Sequence, residues 1–67
     1  MKITLLPTHN PNPPMYRAEL TIFPNMLRST GYGRTISDAV LEAQAFSGFS
    51  QGELEVLDCE AVVRGVS

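Results

Sequence analysis

Few residues in this chain of 67 are of types that carry out chemistry. His9 is the only histidine and Cys59 the only cysteine. A nucleophile relay needs a nucleophile, a base within hydrogen-bond reach and a group that orients the base. His9 lies in the run Pro7-Thr-His-Asn-Pro-Asn-Pro-Pro14, with no acid or cysteine near it in sequence, and reads as a solvated loop residue. Cys59 stands between Asp58 and Glu60 at the end of an expected strand and reads as a small, buried or half-buried side chain. A zinc site takes about four Cys, His or acid ligands, and no credible set can be drawn from this chain. Gly31-Tyr-Gly33 lacks the further glycines, or the Lys-Ser/Thr pair, that a phosphate loop needs. The expectation is a protein that is not an enzyme and holds neither metal nor cofactor.

The carboxylates are the remaining candidates. The net charge is -2. Residues 1–34 carry Lys2, Arg17, Arg28 and Arg34 against Glu19, a net of +3. Residues 35–63 carry Asp38, Glu42, Glu53, Glu55, Asp58 and Glu60 with no base, a net of -6. Residues two apart on a strand lie about 6.6–6.8 Å apart on one side. Glu53 with Glu55, and Asp58 with Glu60 after a slip in the alternation, are therefore expected to project as two pairs from a strand edge. Asp38 and Glu42 on a helix extend the patch, and Leu41 is an apolar residue on that helix's polar side. Such a patch can occupy arginines and lysines that a partner keeps for nucleic acid. The expected partner-binding residues are thus Glu53, Glu55, Asp58, Glu60, Asp38, Glu42 and Leu41. Edge protection, in which outward charges discourage strand-to-strand aggregation, is the competing reading.

These side chains must be positioned by a small set of elements. Gly31 to Phe49 is the one segment with a clear helical period. Thr35 is the expected N-cap, with Asp38 three residues on. Ile36, Val40, Ala43 and Phe46 form an apolar stripe, and Gly48 suits the left-handed stop. The spacing predicts a helix from Ile36 to Ser47. Lys2–Leu6 reads as a strand ended by Pro7, and residues 7–14 as a proline-stiffened connector. Met15–Phe23 alternates Tyr16, Ala18, Leu20 and Ile22 with Arg17, Glu19, Thr21 and Phe23, the first set facing the helix. Pro24-Asn25 is a turn signal, and Met26–Tyr32 the returning strand of a hairpin. Glu53–Cys59 reads as a strand with Leu54 and Val56 inward; Ala61, Val62 and Val63 continue it or form a short last one. The sum is an α+β fold in the order β-β-β-α-β, a mostly antiparallel sheet of three to five strands with one helix on one face.

Length predicts a single domain over residues 1–67 with a thin core, burying about 60% of its unfolded surface, as a monomer or weak homodimer. A lone cysteine suits a reducing compartment, and cytoplasmic location is expected. No apolar run approaches the roughly 20 residues of a membrane span, and the first residues lack the pattern of a secretory signal.

The spacing Gly31-x-Gly33-x-Thr35-x-x-x-Ala39-x-x-x-Ala43 is similar to the strand-to-helix junction of double-stranded RNA-binding domains. That family holds phosphates with basic residues where this chain has Ile36, Ser37 and Val40, so the resemblance implies shared packing without duplex binding. The run Thr35-Ile-Ser-Asp-Ala-Val-Leu-Glu-Ala43 resembles the helix opening of the partial HicB-type antitoxin fold over residues 15–49. That resemblance implies a strand hairpin leading to a helix, and a protein that covers an RNA-acting toxin. In size, charge and layout the whole chain resembles the small acidic anti-CRISPR inhibitors of phages. This implies a partner that is a host or cognate protein with a basic nucleic-acid-binding surface. Tyr16, Phe23, Tyr32, Phe46 and Phe49 interleaved with Arg17 and Arg28 suggest base stacking, but the overall acidity argues against it, and no direct contact to nucleic acid or membrane is expected.

Overall fold

The computed structural model describes residues 1–23 and 25–66. Its elements are β1 (Lys2–Leu5), β2 (Met15–Ile22), β3 (Leu27–Gly33), α1 (Ile36–Ser47), α2 (Gln51–Val56) and β4 (Cys59–Val66). They form the expected α+β fold: one four-stranded sheet in the order β1-β4-β2-β3 with both helices on one side. The β2–β3 and β2–β4 pairings are antiparallel, and β1 runs parallel to β4. The sheet is therefore mixed, and β4 is an interior strand.

Alternation along β2 sorts its side chains as expected. Ala18, Leu20 and Ile22 are buried toward the helices, opposite Val63, Ala61 and Cys59 of β4. Ala39, Val40 and Ala43 of α1 and Leu54 of α2 complete this core. Much of it is alanine, and the helix can lie close because β3 offers glycine beneath it. A Cβ on Gly31 would sit 2.5 Å from the Ala39 carbonyl oxygen and closer still to the Ala43 nitrogen. The Ser29 hydroxyl, also buried, donates to the Ala43 carbonyl oxygen at 2.6 Å, which pins β3 to α1. So close an approach leaves no room for a ring. Phe46 is 70% exposed and is not part of the core stripe; Phe49, beyond the helix, packs against the core instead.

The caps of α1 are those its sequence signals. The Thr35 hydroxyl accepts from the Asp38 N–H at 3.1 Å, and Gly48 takes the left-handed conformation at φ 81°. Residues 53–56 overturn the expected strand, because they belong to α2. Ser50 and Glu53 form a reciprocal cap: the Glu53 N–H donates to Ser50 Oγ at 3.2 Å, and the Ser50 hydroxyl donates to Glu53 Oε1 at 3.2 Å. The first bond satisfies one of the free N–H donors of the first helical turn, and the second holds the Ser50 hydroxyl in place for it. Leu54 is buried as expected, whereas Val56, expected inward, is 85% exposed. The connector of residues 7–14 folds back over Gly65, where an added Cβ would strike Pro13.

Candidate functional site

The residues expected to form an acidic strand edge are distributed over four places. Glu53 and Glu55 are on α2, where residues two apart point about 200° away from each other around the axis, so they do not project as a pair. The Glu53 carboxylate is engaged in the Ser50 cap. Asp58 lies in the link to β4, its carbonyl accepting from the Phe23 N–H at 2.8 Å. Glu60 is on β4, inside the sheet, and points away from the helices, between Lys2 of β1 and Thr21 of β2. Asp38, Leu41 and Glu42 are on α1. Leu41 is 57% exposed, as its place on the polar side implies. The Glu42 carboxylate accepts from the Tyr32 backbone N–H at 3.2 Å and so occupies a free donor on the β3 edge. The expected protection of a terminal strand by Glu53, Glu55, Asp58 and Glu60 has no such strand to act on, since the first two are on α2 and β4 is interior.

A different grouping emerges. The two helices carry Asp38, Glu42, Glu53 and Glu55 and no basic residue. The same helices carry the exposed Leu41, Phe46 and Val56. This helical layer has a net charge of -4.

The opposite face of the sheet is covered by no helix. Pairing register places four cross-strand rows on it: Met15 with Val66 at one end; Lys2, Glu60, Thr21, Arg28 at the other; and between them Thr4, Val62, Glu19, Thr30, then Arg64, Arg17, Tyr32. Leu6 extends the last row, since its N–H donates to the Val63 carbonyl at 2.8 Å and its side chain lines a hollow with Arg17 and Arg64. Four bases and two acids give this face a net charge of +2. Arg34 and Asp58 lie in the links and cancel. Arg17 Nη2 pairs with Glu19 Oε1 at 2.9 Å, the one ion pair among the described residues. Arg17 Nε is buried without a hydrogen-bond partner. Shallow hollows of about 110 and 360 Å³ lie over Arg17, Glu19 and Val62. The charge contrast noticed between the two parts of the chain is in three dimensions a contrast between two faces. Only the strand register makes this visible.

His9 lines an open hollow with Thr8, Asn10, Pro13, Gly65 and Val66. Cys59 is buried, its thiol directed at the Leu54 carbonyl oxygen at 3.8 Å. Among the described residues no three or more His, Cys, Asp or Glu side chains are grouped to hold a metal ion. No helix among them is long and apolar enough to cross a membrane. A more apolar depression of about 260 Å³ lies at the hairpin end of the sheet, lined by Phe23, Leu27, Phe49 and Leu57.

Comparison with protein families, with characterised proteins and with solved structures finds no match to this chain.

Proposed function

We propose that the chain is a binding module that acts by protein–protein contact, setting its acidic helical layer against a basic surface that a partner uses for nucleic acid. The supporting observation is the composition of that layer: four acids, no base, and exposed Leu41, Phe46 and Val56 on the same helices. Carboxylates steer the encounter and set the charge match, while exposed apolar side chains supply the desolvated contacts that hold a complex. In this reading Asp38, Leu41, Glu42 and Glu55 make the contact, with Glu53 fixing α2 in place. Inhibition follows from occupancy, because a partner covered in this way cannot take its nucleic acid. An anti-CRISPR inhibitor of a Cas effector would work by such occupancy. A HicB-type antitoxin module would place the same layer on a small RNA-acting toxin.

The test is capture followed by competition. The immobilised chain is expected to retain a basic protein from host lysate at low salt and release it as salt rises. The free chain is expected to displace that protein from its nucleic acid. Charge reversal at Asp38 and Glu55 should cut affinity at least tenfold and flatten the salt dependence. Recovery of a small ribonuclease selects the antitoxin alternative. Capture that ignores both salt and charge reversal refutes the acidic layer as the contact.

A further inference from the structure

We propose that the open face of the sheet is a binding surface for single-stranded nucleic acid, centred on Arg64, Arg17 and Tyr32. Arg17 and Arg64 are direct cross-strand partners on β2 and β4. Like charges placed opposite one another destabilise a strand pair, so this arrangement costs the fold something. Glu19 offsets part of the cost through its ion pair with Arg17. Arg64 has no ion-pair partner among the described residues, and Arg17 Nε has no acceptor. An anion lying between the two guanidinium groups would offset their repulsion, and phosphate suits the planar fork of arginine.

Tyr32 follows Arg17 in the same row on β3, with its ring exposed, and Leu6 closes the other end beside Arg64. With strands about 4.8 Å apart the row spans roughly 15 Å. Two cations in the middle and a stacking ring at one end are the parts that a single strand uses: phosphate held by charge, a base laid on an aromatic face. Lys2 and Arg28 stand at the two ends of the farthest row, four residues or about 13 Å along the strands from the arginine pair, so positive charge recurs farther along the face. Glu60 and Glu19 interrupt it without reversing it. A net charge of -2 for the chain therefore does not describe what a ligand on this face would meet.

No helix lies on this face to enter a duplex groove. Stacking on Tyr32 also requires an unpaired base. An acidic protein segment is the weaker fit. The apolar side chains of this face are Val62 in the second row and Leu6, Met15 and Val66 toward one end, so they form no apolar centre of the kind protein interfaces bury. The inference does not rest on the proposed role of the helical layer, which is on the other side of the sheet.

Fluorescence anisotropy with a labelled single strand of about 12 nucleotides at about 50 mM salt tests it. Saturable binding is expected, with a log–log salt slope of about -1.5 to -2 for two to three phosphates. Arg17→Gln with Arg64→Gln should weaken it at least tenfold without lowering the melting temperature. Tyr32→Leu should weaken it at least about fivefold. Asp38→Lys with Glu55→Lys, which tests the helical layer, should leave strand binding intact or stronger. No binding of the strand overturns the proposal. So does unchanged binding by the double arginine variant, or an acidic peptide of equal charge or a duplex that binds as tightly as the strand.

Discussion

Between Arg17 and Ala18 the chain passes from one face of the sheet to the other, and the two residues meet opposite conditions. Ala18 is fully buried under α1. Arg17 is half-buried beside another arginine, with its Nε buried and unsatisfied. The covered face is assembled from small residues at very short range: Gly31 and Gly33 of β3 beneath Ala39 and Ala43 of α1. The open face is assembled from long, charged side chains that touch little. In a chain this short, one face therefore has to supply nearly all the stability, and the other is released from that duty. Its unfavourable arginine pair is affordable only because the covered face is so closely packed.

Five substitutions sharpen or break this contrast. The largest effect is expected at Val40, which is buried against the sheet. Val40→Asp places an unpaired charge in the core and should abolish cooperative unfolding by circular dichroism. A native-like melt would show that α1 does not seal that face. Next, Leu20→Ala should cost about 2–5 kcal/mol in urea titration, since Leu20 is among the largest fully buried side chains. Its neighbour Thr21, on the open face, should change stability by no more than about 0.5 kcal/mol when made Ala. Equal losses at the two positions would erase the distinction between the faces. Ser29→Ala leaves the Ala43 carbonyl without its hydroxyl donor and should cost about 1–3 kcal/mol. A small effect of opposite sign is expected at the hairpin, where Met26 has φ 52°, a left-handed conformation that suits glycine better. Met26→Gly should stabilise by about 0.5–1 kcal/mol, with no effect on either face.

Local signals made much of this molecule legible. Thr35, Asp38 and Gly48 bound α1 in sequence as they do in space, and the alternation from Tyr16 to Ile22 identifies the covered face of β2. Failures came where two local rules compete or where none applies. Glu53-Leu-Glu-Val56 alternates as a strand would, but Ser50-Gln-Gly-Glu53 is a capping box, and the cap decides the structure. Phe46 has helical spacing with Ala43, yet the width available to it is set by glycines on another strand. The open basic face was hidden for a third reason. Lys2, Arg17, Arg28 and Arg64 are spread over four strands, and nothing in Lys2–Leu5 announces that it will pair with β4. The acids were legible as a cluster in sequence, and it is the fold that separates Glu60 from Asp38, Glu42, Glu53 and Glu55.

The strand order also imposes a schedule on synthesis. The hairpin of β2 and β3 and the helix after it can form as soon as they leave the ribosome, since their contacts are local. β1, made first, has no neighbour until β4 arrives some fifty residues later and inserts between it and β2. Throughout that interval β2 has an open edge and Ile3 and Leu5 have nothing beside them. Pairings of such long sequence separation form slowly, so insertion of β4 sets the pace at which the sheet closes, and the nascent chain is most exposed to aggregation just before its last strand appears.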